Sequence, residues 1–150
     1  MFAFSENIIR IDVLPRQEFE ALLLESEAEG FRFLRRLYDD WASGANRFDG
    51  LGETFFGYYE GSCLLAVGGL NRQSATTGRL RRVYVARHAR RRGIGRALVA
   101  HIVQHAIPFF EEIVLHTDAA GTDAFYRAIG FNCIRDNGGD FTHTMKIASR

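Results

Sequence analysis

Between residues 79 and 107 the chain carries a strand, a basic turn broken by two glycines, and a helix. This unit narrows the possible folds more than any other stretch. Residues 79–86, Arg-Leu-Arg-Arg-Val-Tyr-Val-Ala, end in β-branched and aromatic side chains, as strands do. Residues 94–107 form the clearest helical stretch, with Pro108 just beyond. Between them runs Arg90-Arg-Arg-Gly-Ile-Gly-Arg96. A helix N-terminus presents unpaired N–H groups and a partial positive charge. Glycines there let a phosphate approach the backbone, and arginines add charge-assisted, often bidentate bonds to its oxygens. The segment has the parts of a pyrophosphate cradle.

Other cradles fit less well. After Gly93-x-Gly95 the third glycine of a dinucleotide fingerprint is replaced by Leu98, and no Gly-Lys-Ser/Thr of a P-loop follows. A nucleic-acid helix would carry arginines along one face. Here they stop at Arg96, and Ala-Leu-Val-Ala-His-Ile-Val continues as a core helix.

The rest of the chain supplies partners for this unit. Residues 7–14 alternate as a strand, and Pro15 opens a helix that Gly30 closes near Glu29. Residues 31–43 form a second helix with Phe31, Leu34, Leu37, Tyr38 and Trp41 on one face, ended by Gly44. Strands at 54–59 and 62–70 make a hairpin through Glu60-Gly61, and the polar residues 71–78 read as a loop. A strand at 112–117, a helix at 119–129 stopped by Gly130, and strands at 131–135 and 141–147 around a turn at 136–140 complete the chain. The order β-α-α-β-β-β-α-β-α-β-β predicts one α/β (mixed α+β) domain over residues 1–150, a mixed sheet with helices on both faces.

Charge is unevenly spread along the 150 residues. Residues 1–60 hold twelve acids against six arginines, whereas residues 61–110 hold nine arginines and no acid. An acid-free block in a chain of net charge +1 predicts a local anion site rather than a polyanion surface, so no nucleic-acid partner is expected. The longest apolar stretch is 63–70, and the first residues lack the pattern of a signal peptide. With only Cys63 and Cys133, both read as small core hydrophobes, a reduced cytoplasmic protein without membrane contact is expected.

Arg90-x-x-Gly93-x-Gly95, preceded by Leu80-Arg-Arg-Val-Tyr-Val85, resembles the central motif of the GNAT superfamily, the acyl-CoA-dependent N-acyltransferases. Phe125-Tyr-Arg-Ala-Ile-Gly-Phe131 resembles its downstream motif, and the element order is similar from about residue 48 to residue 147. The resemblance implies that Val83, Tyr84 and Val85 splay from the neighbouring strand and offer backbone groups to pantetheine, with one N–H aimed at the thioester oxygen. It implies that the amides of Arg91, Arg92, Gly93, Ile94, Gly95 and Arg96, with the Arg90 side chain, hold the pyrophosphate. It makes Tyr126 the general acid that protonates the departing thiolate. Two positions depart from the pattern: Ala119 stands where asparagine is frequent, and Thr122 where alanine is.

The expected reaction is direct acetyl transfer from acetyl-CoA to a primary amine, with a non-catalytic acyl-CoA-binding module as the alternative. The acidic residues 1–60 predict a cationic small-molecule acceptor, and a homodimer is expected as an option. Deprotonating the amine needs a base, for which Glu53, His88, His116, Asp118 and His143 are candidates. Asn71 reads as a turn residue more readily than as part of an acceptor cleft. His101 and His105 have the four-residue spacing of metal ligands but lack a third, so no metal is expected.

Overall fold

Seven strands form one sheet in the computed structural model, which describes residues 6–118, 121–134 and 139–147. The strands are β1 (Ile8–Arg10), β2 (Thr54–Glu60), β3 (Cys63–Arg72), β4 (Thr77–Val85), β5 (Glu112–Leu115), β6 (Asn132–Cys133) and β7 (His143–Lys146). Their spatial order is β1-β2-β3-β4-β5-β7-β6, antiparallel throughout except for the parallel pair β4–β5. A parallel pair needs a crossover connection. Helix α3 (Ile94–Ala106) supplies it and buries Leu98, Val99 and Ile102.

Helices α1 (Arg16–Ala28) and α2 (Phe33–Ser43) cover the opposite face. The first buries Phe19, Leu22 and Leu23, and the second Leu34, Leu37 and Trp41. Gly44 ends α2 at φ +83, the left-handed conformation that glycine adopts without steric cost. Trp41, Phe48 and Phe55 make an aromatic cluster under α2, with Trp41–Phe55 centroids 5.4 Å apart in an edge-on arrangement. Gly69 is required beneath it, because a Cβ there would lie 2.5 Å from the Phe48 ring. On the other face Gly68 accommodates Ile102 and Leu98 of α3. Helix α4 (Thr122–Ile129) packs beside α3.

Several boundaries differ from the sequence expectation. Residues 71–78 are not one loop: β3 continues through Arg72 and β4 begins at Thr77. The Arg72 guanidinium closes the short turn by donating to the carbonyls of Leu51, Ser74 and Ala75, and it lies 4.8 Å from the Phe110 ring centre. The first strand pairs over Ile8–Arg10 only, although the Ile11 amide still reaches the Phe55 carbonyl at 2.8 Å. Among the described residues, the expected strands at 131–135 and 141–147 pair over Asn132–Cys133 and His143–Lys146, and Arg135 lies outside the described residues. Ala119 and residues 136–138 of the expected turn lie outside the described residues. Cys63 and Cys133 are exposed rather than in the core, one beside the hairpin turn and one on the two-residue edge strand β6. Among the described residues no helix is long and apolar enough to cross a membrane.

Candidate active site

Strands β4 and β5 pair only over Thr77–Glu112, Gly78–Ile113 and Arg79–Val114. Beyond Arg79 they part, while β4 stays paired with β3 as far as Ala66–Val85. The Ala86 amide donates to the Leu65 carbonyl at 2.8 Å. Alternation along an antiparallel pair turns the backbone of Tyr84 toward β3 and that of Val83 and Val85 toward the open edge. The Val85 carbonyl uses this freedom to accept from Arg90 Nε at 3.0 Å.

After β4 a 3₁₀ turn (Arg87–Ala89) leads into the arginine–glycine loop. Arg91 at φ +65 and Gly93 at φ +83 bend the backbone, and Gly93 caps α3. The first helical bond runs from the Ala97 amide to the Gly93 carbonyl at 3.0 Å. Among the described residues, no protein group accepts from the amides of residues 91–96. These donors crowd one helix end, which favours an anion. Gly95 lets α3 approach β4 closely, since a Cβ there would stand 3.1 Å from Val85 Cγ2 and 3.3 Å from Phe125 Cζ.

Two acids on α1 and just after it anchor the loop from behind. Glu29 takes both forks of Arg90 at 2.7 and 3.0 Å, and its carboxyl is held below the usual range chiefly by that bond. The Tyr84 hydroxyl donates to Glu25 at 2.7 Å and approaches Glu29 at 2.6 Å. Burial first, then the two carboxylates, push this phenol far up, so it keeps its proton. Glu25 also accepts from the Arg87 amide at 2.8 Å. Arg90 and the Tyr84 side chain are thus engaged as struts of the loop, and Arg92 pairs with Glu60. Arg91 and Arg96 have no partner among the described residues and are exposed.

Tyr126 sits on α4 with its ring packed edge-on to Phe125 and Phe131, at 4.9 and 5.8 Å. It is 8% exposed. Burial pushes the phenol up to about 12. The hydroxyl therefore remains a donor across the neutral range.

The base candidates divide sharply. Glu53 is consumed by the amides of Gly50 and Arg72 and by Asn71 Nδ2, at 3.0, 2.8 and 3.1 Å. Asn71 is a strand residue, not a turn residue, bonded to Asn46, Glu53 and Arg81 beside a cleft of about 460 Å³. His143 is buried, with Nε2 2.7 Å from Asp123 and Nδ1 2.8 Å from Thr142 Oγ1. Cys133 joins these two, with all three ligating atoms within 4.8 Å, a grouping that no spacing in the sequence announces. His101 and His105 pack edge-on to Phe56, and burial holds both below the usual imidazole value. His88 and Asp118 are exposed. His116 follows β5 directly, and its Nδ1 lies 3.1 Å from the Asp140 carbonyl. A neutral ring donating to this carbonyl through Nδ1 would present Nε2 as an acceptor.

Free amides at a helix N-terminus, beside two strands that part, give the site an anion-binding end and an open strand edge. Residues 16–131 match the acetyltransferase (GNAT) family, and the chain belongs to it. A candidate acetyltransferase from Exiguobacterium sp. 255-15 is 32% identical, with a TM-score of 0.81 over 93% of this chain and 91% of that one. A GNAT family acetyltransferase from Elizabethkingia anophelis with acetyl-CoA bound shares the fold at 18% identity, with a TM-score of 0.62 over 94% and 99%. An aminoglycoside 6'-N-acetyltransferase in complex with coenzyme A does so at 16% identity, with a TM-score of 0.70 over 95% and 98%. No protein of curated function matches the chain in sequence.

Proposed function

We propose that the protein transfers an acetyl group from acetyl-CoA to a primary amine by direct attack. The observation that carries this reading is the run of free amides at residues 91–96 beside the open edge of β4. Acetyl-CoA supplies an activated acetyl thioester. The amides of Arg91, Arg92, Gly93, Ile94, Gly95 and Arg96 would hold its pyrophosphate, with Arg91 and Arg96 as the uncommitted cations. The backbone of Val83 and Val85 would bind pantetheine, one N–H facing the thioester oxygen where negative charge develops, a contact worth about 3–4 kcal/mol in well-studied oxyanion holes. The acceptor's proton leaves through His116 Nε2, directly or by one water. The amine nitrogen bonds to the carbonyl carbon, the carbon–sulfur bond breaks, and the Tyr126 hydroxyl supplies the proton to sulfur.

The cationic acceptor expected from the acidic residues 1–60 is not carried forward. Glu25, Glu29, Asp40, Glu53 and Glu60 are committed to Tyr84, Arg90, Arg82, the 50–72 clamp and Arg92. Asp40, Asp49 and Glu53 line the cleft beside Asn71 together with Arg47, Arg72 and Arg81, so its wall carries both signs.

Calorimetry with coenzyme A tests the reading, and absence of heat on folded protein would end it. Tyr126→Phe should lower kcat by roughly 100-fold or more, with coenzyme A affinity and thermal stability retained. Unchanged kcat would remove Tyr126 from the chemistry.

A further inference from the structure

The face of β4 under α2 carries three half-buried guanidiniums, of which one is ion-paired with a carboxylate of this chain. Along β4, Leu80 pairs with Leu70 toward α3, while Arg79 and Arg81 stand opposite Asn71 and Gly69 on the α1–α2 face. At Arg82 the ladder slips and φ becomes +61. The bulge adds one residue, so Arg82 lands on the same face as Arg81 and reaches Asp40 of α2 at 3.8 Å. Three guanidiniums from four consecutive positions thus share one side of a strand. They stand where β4 leaves β5, because the last β4–β5 pair is Arg79–Val114.

Their partners do not balance them. Arg81 donates to the neutral Asn71 Oδ1 at 3.3 Å, and Arg79 lies over the Phe141 ring at 5.3 Å. Nε of Arg79 and Nε of Arg82 are sealed from solvent with no hydrogen-bond partner among the described residues. The Arg82 side chain is 11% exposed. Arg36 faces the same space, and of the two nearby acids Glu53 is already consumed. Burial, then the charges of Arg82 and Arg79, push Arg81 down to about 10. Buried guanidiniums are normally forked onto carboxylates, since an unpaired buried charge is costly. The cluster faces α1 and α2, whereas the free amides of residues 91–96 lie at the far end of β4, so the coenzyme's pyrophosphate is not the missing anion.

Resting on the acetyl-transfer reading, we propose that the acceptor amine carries an anionic group, a carboxylate or phosphate ester, received by Arg79, Arg81 and Arg82 while its nitrogen attacks. The test compares matched amines with the full chain and saturating acetyl-CoA by thiol release. Free amino acids are set against their carboxamides, and O-phosphoethanolamine against ethanolamine; the two arms separate carboxylate from phosphate. At least one anionic member should exceed its neutral partner about tenfold or more in kcat/KM, mainly through KM. Arg82→Gln should bring that ratio toward one, and Arg82→Lys should restore part of it. If Arg82→Gln fails to fold, Arg81→Gln repeats the test. Neutral members turned over as well as anionic ones would overturn the proposal, as would a variant that slows both members equally. Calorimetry of the anionic amines on the protein–coenzyme A complex adds a readout independent of turnover. Coenzyme A binding without any anionic amine bound or acetylated overturns this proposal alone, whereas no coenzyme A binding overturns the reading beneath it.

Discussion

Two arginine groups from one basic block, 79–82 and 90–96, end in opposite surroundings. The outer group is exposed, and two of its members are tied to acids from elsewhere in the chain, Arg90 to Glu29 and Arg92 to Glu60. Its open donors are backbone amides, the kind of site that accepts a phosphate with little desolvation. The inner group is half-buried, has one ion-paired carboxylate, at 3.8 Å, for three guanidiniums, and leaves two Nε atoms unpaired. A basic block in sequence is therefore not one site. The outer set is braced and presents donors of its backbone; the inner set presents donors of its side chains.

The sharpest way to break the bracing is Glu29→Gln. Glu29 receives Arg90, Tyr84 and the longer Arg87 contact at once. Losing a charged acceptor beneath several donors should cost about 2–3 kcal/mol of stability and weaken coenzyme A binding by releasing the loop base. The sign with pH follows from the depressed Glu29 carboxyl. Its contribution is complete above the ordinary carboxylate value and lost as pH falls through the folded value. The gap between wild type and variant should be widest near pH 7 and close on acidification, as urea denaturation at several pH values will measure. A gap independent of pH would mean that the Glu29 charge does not brace the loop.

The outer group was legible because its determinants are local. Gly93, Gly95 and the start of α3 follow one another, and strand–turn–helix order predicts free amides at that point. The helix ends at Gly30, Gly44 and Gly130 were legible for the same reason, each having a positive φ in the structure. The braces were not, since Glu29 and Arg90 are sixty-one positions apart. Nor was the inner group. Strict alternation would separate Arg81 and Arg82 onto opposite faces, and only the slipped register against Val67–Gly69 unites them. Cys63 and Cys133 are exposed, against expectation, because β-like composition does not say whether a residue lies at a turn or on an edge strand.

A smaller effect is expected at the bend itself. Gly93→Ala places a side chain at φ +83, where L-residues lose roughly 1–2 kcal/mol. Because Gly93 caps α3 and precedes three of the free amides, part of that cost should appear as coenzyme A affinity lowered several-fold, read by calorimetry. Equal affinity with only a lower melting temperature would show that the bend serves folding alone.

The smallest effect separates charge from backbone within the outer group. Arg91 and Arg96 are exposed and unpartnered among the described residues, so removing both should leave stability within about 0.5 kcal/mol. If the amides do most of the gripping, Arg91→Gln with Arg96→Gln should weaken coenzyme A by no more than about tenfold at low salt. The loss should shrink further near 0.15 M, where exposed charges are screened over about 8 Å. Titrations at two ionic strengths, beside the matched Arg82→Gln variant, give the contrast its clearest form. Exposed charges should show strong salt dependence and buried ones little. A salt-independent loss of coenzyme A binding in the double variant would move those side chains from the rim of the site into direct, desolvated contact with phosphate.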